Sequence, residues 1–219
     1  MAEVNILREL QHPCIVRYFD RFIDKKNLKI FIIMEYCQGG DLQQIIKRCA
    51  KSNDHIQEEF IWKIFSQVVS GLHFCHRRQD ATQINRGESN TTNKAQESNP
   101  QKILHRDLKP GNIFLDSAND AKLGDFGLAR VMNQDSMFAH THVGTPYYMS
   151  PELINEQKYN EKSDIWSLGC IIYEMAALRP PFKAQNHLSL AMKIKAGKFD
   201  RIPDRYSEDL WRVIEWMLN

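Results

Sequence analysis

A chain of 219 residues, 42% hydrophobic and 26% charged, has room for one core or two lobes and the make-up of an ordinary globular protein. Its formal net charge of +2 gives no general attraction to nucleic acid or to an anionic membrane, and no apolar run approaches the length of a membrane span. The five cysteines (Cys14, Cys37, Cys49, Cys75 and Cys170) are scattered and never form a CxxC pair, which argues against a disulfide framework or a zinc site and fits a reducing compartment.

Met1 to Leu10 place Glu3, Leu7 and Leu10 on one helical face with no capping residue ahead of them, so a helix is expected that starts raw, as if cut from a longer element. Ile15 to Phe22 and Leu28 to Tyr36 read as strands joined by the polar turn Asp24-Lys25-Lys26-Asn27. Gly39-Gly40 ends the pattern and Asp41 opens a short helix. From Glu58 onward, Phe60, Ile61, Ile64, Phe65, Val68, Val69 and Leu72 recur as one continuous helical stripe. Residues 79–101 are almost purely polar and read as a disordered surface insertion, too poor in apolar side chains to order itself. Ile113 to Leu115 and Ala121 to Leu123 form a small hairpin. Ile165, Trp166, Leu168, Ile171 and Met175 then cover nearly every face of one helix, which marks it as buried and central. Helices over His187 to Ala196 and Ser207 to Leu218 follow, with Gly197 as a C-terminal stop. The fold class is α+β: a partial small lobe with two strands, then a mostly helical lobe.

Three strings carry the chemistry. His105-Arg106-Asp107-Leu108-Lys109-Pro110-Gly111-Asn112 is followed by Asp125-Phe126-Gly127 and by Ser150-Pro151-Glu152. In this order, within about fifty residues, they describe a phosphate-transfer site: a base, two metal ligands and a substrate platform. On these strings the chain resembles the eukaryotic protein kinase superfamily, from its first residues to its last with one interruption. The resemblance implies ATP and Mg2+ as cofactors, proteins with serine or threonine acceptors as partners, and no nucleic acid or membrane.

The resemblance makes Asp107 the base that accepts the substrate hydroxyl proton; its carboxylate needs no raised pKa, because orienting the nucleophile is most of the task. Lys109 would neutralise the migrating phosphoryl group, and lysine at that place is the serine/threonine form of the loop. Asn112 and Asp125 would hold the magnesium ions, oxygen ligands suiting a hard cation. Met34-Glu35-Tyr36-Cys37 resembles the hinge, with Met34 as gatekeeper and the Glu35 carbonyl and Cys37 N–H facing adenine. Leu42 and Phe114 would floor the adenine ring. Asp41 would bond the ribose, cap its helix, or do both.

In the family, Glu3 pairs with a lysine on a preceding strand; read alone, it is a first-turn glutamate favoured by the helix dipole. Thr141 sits where this class carries an activating phosphate, with Ser136 as a second candidate, and Arg106 and Arg130 would clamp that phosphate. An unmodified loop threonine is the plain alternative. Thr145 would bond Asp107 and Lys109 and help select serine or threonine. His105 and Phe126 would stack with Leu7 in a buried column, and Asp164 would anchor the catalytic loop from the buried helix. His73, Cys75 and His76 have metal-like spacing but continue the apolar stripe, which favours a structural role over a metal.

Within the superfamily, four strings resemble the NIMA-related serine/threonine kinases, most of all their mitotic, centrosome-associated branch. They are Met34-Glu35-Tyr36-Cys37-Gln38-Gly39-Gly40-Asp41-Leu42, Lys122-Leu123-Gly124-Asp125-Phe126-Gly127-Leu128-Ala129-Arg130, Val143-Gly144-Thr145-Pro146-Tyr147-Tyr148-Met149-Ser150-Pro151-Glu152 and Tyr159-Asn160-Glu161-Lys162-Ser163-Asp164-Ile165-Trp166-Ser167-Leu168-Gly169-Cys170. The resemblance implies roles in centrosome separation and spindle assembly, and a cytoplasmic location with the centrosome or nucleus as specific sites. Two departures stand against the pattern. The ten glycines contain no GxGxxG loop, and no V-A-I-K-like lysine precedes Glu3. The chain also stops before the arginine that would pair with Glu152, so Glu152 is expected to be a buried carboxylate without its partner. It therefore reads as a kinase domain truncated at both ends, with no dimerisation segment. Its parts would be a partial N-lobe over 1–36 (helix C and two strands), a hinge over 37–40 and a C-lobe over 41–219, with the insertion at 79–101 and an activation segment at 125–152. Turnover by this chain alone is expected to be reduced by orders of magnitude. The alternative is a catalytically dead, kinase-derived binding or scaffold protein.

Overall fold

The computed structural model describes residues 10–77, 102–125 and 146–219. The expected helix over Met1 to Leu10 lies, but for its last residue, outside them, as does the whole of the polar stretch 79–101.

An antiparallel pair, β1 (Tyr18–Asp24) and β2 (Lys29–Met34), comes first, with Ile23 opposite Ile30 and Asp24 opposite Lys29. Its turn is held by one side chain: the Asp24 carboxylate accepts from the N–H groups of Lys26 and Asn27 at 3.0 and 3.1 Å and from Asn27 Nδ2 at 2.8 Å. Both strands are offset from the sequence reading. Residues 14–16 run beside a later strand instead of joining β1, with Ile15 opposite Leu123, so β1 starts at Tyr18. Leu28 is left-handed, with φ of 53°, and belongs to the turn. The hairpin carries apolar side chains on its surface, for Ile23 and Ile30 are each 60% exposed and Phe22 and Phe31 stack at 4.6 Å.

The second sheet positions the site. β3 (Gly40–Asp41), β4 (Ile113–Leu115) and β5 (Ala121–Leu123) form an antiparallel sheet in that order, with Asp41 opposite Phe114 and Phe114 opposite Lys122. Gly39-Gly40 therefore does not only break a pattern; it enters this sheet. Two hydrogen bonds of 2.8 Å, from the Val16 N–H to the Leu123 carbonyl and from the Leu123 N–H to the Cys14 carbonyl, join residues 14–16 to β5.

The helical body begins with α1 (Leu42–Ser52), capped by Asp41, whose Oδ1 accepts from the Gln44 N–H at 2.9 Å. α2 (Glu58–His76) buries Ile61, Ile64, Val68 and Leu72 of the expected stripe together with Cys75, whereas Val69, read as part of that stripe, stays at the surface. A short helix α3 (Pro151–Ile154) precedes α4 (Glu161–Ala177), which begins in a capping box formed by Asn160 and Ser163. α4 is buried on almost every side, as its all-round apolar pattern requires. α5 (His187–Ala196) ends on left-handed Gly197, with φ of 63°, and α6 (Glu208–Met217) is capped by Ser207.

Gly169 lets α4 and α6 meet. A Cβ there would lie 2.8 Å from Met217 Cβ and 2.9 Å from Leu218 Cδ2. Gly169→Ala is therefore expected to destabilise the fold by about 1–3 kcal/mol despite the better helix propensity of alanine. Urea unfolding should show a lower midpoint at an unchanged m-value; an unchanged midpoint would mean that the helices separate at no cost.

Candidate active site

The loop from Ile103 to Asn112 leaves the end of α2, where the Ile103 N–H donates to the Cys75 carbonyl at 3.1 Å, and enters β4. Its start is fixed from α4. Buried Asp164 accepts from the His105 N–H at 3.1 Å through Oδ2 and from the Arg106 N–H at 3.2 Å through Oδ1. The same carboxylate takes His76 Nε2 at 2.7 Å and the Tyr159 hydroxyl. Burial alone would raise its pKa; the bonds from His76 and Tyr159 and the neighbouring His105 outweigh it and hold the carboxyl below the usual aspartate range. His105, fully buried, shares 3.0 Å between Nε2 and the Gly124 carbonyl, and burial pushes its pKa down. Arg106 is left-handed, with φ of 68°, a conformation uncommon for a residue with a Cβ.

The second half of the loop folds back on Asp107. Pro110–Asn112 form a single 3-10 turn closed by the Asn112 N–H on the Lys109 carbonyl at 2.9 Å. Buried Asn112 then donates Nδ2 to both the main-chain oxygen and Oδ2 of Asp107, at 2.8 and 3.0 Å. Lys109 Nζ reaches the same Oδ2 at 2.7 Å. Asp107 and Lys109 side chains are 48% and 44% exposed, so a carboxylate with a lysine beside it faces solvent from a rigid base. The Gly124 N–H donates to the Asn112 carbonyl at 2.9 Å, which sets Asp125 next to that base, at the end of β5 and with φ of 56°. Gly124 needs its missing side chain: a Cβ would stand 2.5 Å from Phe114 Cε2.

The expected hinge joins the same sheet. Gly39 donates to the Leu115 carbonyl at 2.8 Å, and Asp41 pairs with Phe114. Glu35 exchanges bonds with Arg17, its N–H to the Arg17 carbonyl at 2.8 Å and the Arg17 N–H to its Oε2 at 3.1 Å. Lys122 Nζ bridges Glu35 Oε1 at 2.8 Å and the Pro13 carbonyl at 3.1 Å. Met34 ends β2 with its side chain partly exposed, Leu42 is fully buried and Phe114 half-buried. Burial and the nearby Glu35 carboxylate push the Cys37 thiol up. Asp41 spends both oxygens on Gln44, Oδ2 accepting from its Nε2 at 2.6 Å.

The structure thus brings Asp107, Lys109, Asn112 and Asp125 together, with Glu35, Cys37, Asp41 and Phe114 along the adjoining sheet. Glu3, Leu7, Phe126, Arg130, Ser136, Thr141 and Thr145 lie outside the described residues. Glu152 corrects an expectation. It is half-buried and not left alone: it accepts from the hydroxyl of Ser163, the N3 residue of the α4 capping box. His76 and Tyr159 were not legible as site residues. His76 carried only a suggestion of metal spacing, and nothing local marks Tyr159. Lys122 reads as an ordinary strand lysine until Glu35, remote in sequence, is placed against it.

The donor set suits a hard divalent cation. Asn112 spends its amide nitrogen on Asp107, which leaves its carbonyl oxygen and the Asp125 carboxylate as oxygen ligands of the kind Mg2+ takes.

A protein kinase domain model matches residues 1–84 and 96–219. The chain is 52% identical over 219 residues to the serine/threonine-protein kinase Nek2 of Homo sapiens, covering 100% of this chain and 45% of that protein. A probable serine/threonine-protein kinase nek2 of Dictyostelium discoideum is 51% identical over 217 residues, covering 99% of this chain and 47% of that protein. The G2-specific protein kinase nimA of Emericella nidulans is 46% identical over 220 residues, covering 97% of this chain and 31% of that protein. The chain thus spans less than half the length of these relatives.

Proposed function

From the premise that the chain belongs to the protein kinase family, in its NIMA-related branch, we propose that it transfers the γ-phosphate of ATP to serine or threonine hydroxyls of proteins. The observation that carries the reading is the coupling of Asp107, Lys109 and Asn112 in one hydrogen-bonded unit, joined through Gly124 to Asp125. Asp107 orients the acceptor hydroxyl and takes its proton. Lys109, already against the Asp107 carboxylate, offers its positive charge where the migrating group's negative charge develops. Asn112 and Asp125 would hold the cation, and Glu35 and Cys37 would present main-chain groups to adenine, with Leu42 and Phe114 as its floor. Mg-ATP, when bound, supplies the phosphoryl group and the neutralising metal charge.

In this reading residues 1–36 belong to an N-lobe, 37–40 to the hinge and 41–219 to the C-lobe, with Thr141 phosphorylation read by Arg106 and Arg130. Thr145 contacts the base and Glu3 belongs to the nucleotide-orienting machinery. A cell-cycle setting is supported by the G2-specific name of the Emericella nidulans relative, and a cytoplasmic location with the centrosome or nucleus as specific sites belongs to the same proposal. No helix among the described residues is long and apolar enough to cross a membrane.

Incubation of the chain with Mg2+, γ-labelled ATP and an acceptor protein tests the reading. Label is expected on serine and threonine, and to vanish when Asp125 is changed to asparagine. Absence of transfer, together with no thermal shift across millimolar Mg-ATP, would favour a kinase-derived binding protein instead.

A further inference from the structure

α5 is apolar on two opposite faces. Leu190 and Ile194, each 1% exposed, are buried in the helical body. Leu188 and Met192 are 75% and 66% exposed. An α-helix turns by about 100° per residue, so positions two apart lie about 160° from each other, and burying the first pair turns the second to solvent. A single apolar residue on a surface is ordinary. Two of them at i and i+4 are neighbours on the helix and form one strip.

The charge around the strip is of one sign. Between Glu174 and Asp200 the sequence holds Arg179, Lys183, Lys193, Lys195 and Lys198 and no carboxylate, although the whole chain nearly balances 29 basic against 27 acidic residues. Asp200 neutralises Arg179 at 2.8 Å. Lys193 Nζ donates to the Lys183 carbonyl at 2.8 Å, which satisfies a donor without cancelling a charge. The four lysines are exposed, and none of them forms an ion pair with a carboxylate among the described residues. Lys195 lies three positions beyond Met192, so it continues the same face.

We infer that the exposed face of α5 is a docking site for an acidic amphipathic segment of a partner protein. The segment's apolar side chains cover Leu188 and Met192, and its carboxylates meet the surrounding lysines. A lipid surface fits less well: a helix that lies in a membrane offers a long apolar face to it, and α5 has two exposed apolar side chains and its other face in the core. α5 packs against α3, the helix that begins at Pro151, so a docked partner is held beside the Ser150-Pro151-Glu152 string. A strip of this size suits a transient partner. The inference goes beyond the kinase reading, and docking is measured without phosphate transfer.

The test uses the full chain and a fluorescent helical peptide with two leucines one turn apart among glutamates. Its counterpart carries lysines in place of the glutamates. The acidic peptide is expected to bind saturably in the micromolar range, and the basic one at least about tenfold more weakly. Leu188→Gln combined with Met192→Gln is expected to weaken the acidic peptide about tenfold or more, and Lys195→Glu about threefold or more. These positions face solvent, so thermal unfolding of the variants is expected to match the parent. Leu28→Gln, in the β1–β2 turn, controls for general adhesion to apolar surface and is expected to leave binding within about twofold. Raising the ionic strength from about 0.01 to about 0.15 M is expected to weaken the acidic peptide several-fold. No saturation by about 1 mM, equal binding of the two peptides, or indifference to the α5 double variant overturns the inference. So does an equal loss in Leu28→Gln. Vesicles of phosphatidylserine and phosphatidylcholine form the last arm: binding to them through Leu188 and Met192, with the peptide left in solution, makes the face a membrane contact and also overturns it. Peptide binding by a chain that transfers no phosphate upholds the docking site and counts against the kinase reading alone.

Discussion

Asp107→Asn is expected to lower kcat by about two to three orders of magnitude while moving the unfolding midpoint hardly at all. The substitution is close to isosteric, and its amide oxygen can occupy the place of Oδ2, where Asn112 Nδ2 and Lys109 Nζ donate from 3.0 and 2.7 Å. The loop's internal bonds survive, since Asn112 also holds the main-chain oxygen of residue 107. Stability changes little because the Lys109–Asp107 pair is about half exposed, and such pairs contribute at most about 1 kcal/mol. What disappears is the negative charge that orients the acceptor hydroxyl and takes its proton. Single-turnover kinetics on the parent and the variant, with thermal unfolding alongside, provide the check. A variant that retains more than about a third of the parent rate would remove Asp107 from the chemistry, since loss of a positioned base is felt at about a hundredfold or more. A variant that unfolds would instead make its role structural.

The elements most legible in the sequence were those whose local pattern and tertiary role agree. The stripe of α2, the all-round apolar surface of α4, the Gly197 stop and the hairpin of β4 and β5 were each set by periodicity or turn chemistry. The strand limits were less so. Residues 14–16 have the same β-forming character as those that follow, and only the availability of β5 as a partner separates them from β1. In the site, the loop residues Asp107, Lys109 and Asn112 could be read because they lie within six positions of one another. The contacts that hold the loop could not. His76 and Tyr159 reach Asp164 from α2 and from the approach to α4, and Lys122 reaches Glu35 across the sheet. Such polar pairs obey no periodicity, and a histidine at the end of an apolar stripe looks the same whether or not a carboxylate awaits it. Glu152 taught the converse: its expected isolation was argued from a missing arginine, whereas the structure satisfies it with a neighbouring serine hydroxyl.

Asp164→Ala should be the most destabilising single change in the helical body, by about 3–5 kcal/mol near pH 7. Four donors lose their acceptor at once: His76 Nε2, the Tyr159 hydroxyl and the amides of His105 and Arg106. The side chain is completely buried, so water does not readily replace it. Asp164→Asn should be little better, because its NH2 group would face donors on one side of the old carboxylate. The pH dependence distinguishes this account from simple cavity formation. The folded Asp164 carboxyl lies below its usual value of 3.8, so its contribution is fully present above that value and is lost as pH falls through the folded pKa. His105 is also depressed below its usual 6.5; its neutral, buried form supports the fold above that value, and stability declines as pH falls from there. Urea titrations should therefore show the parent weakening first as acid reaches the histidine range. The gap between parent and Asp164→Ala should close below about pH 4, once the carboxylate itself is protonated. A gap that is the same at pH 7 and at about pH 3 would mean that Asp164 is held for its volume and not its charge.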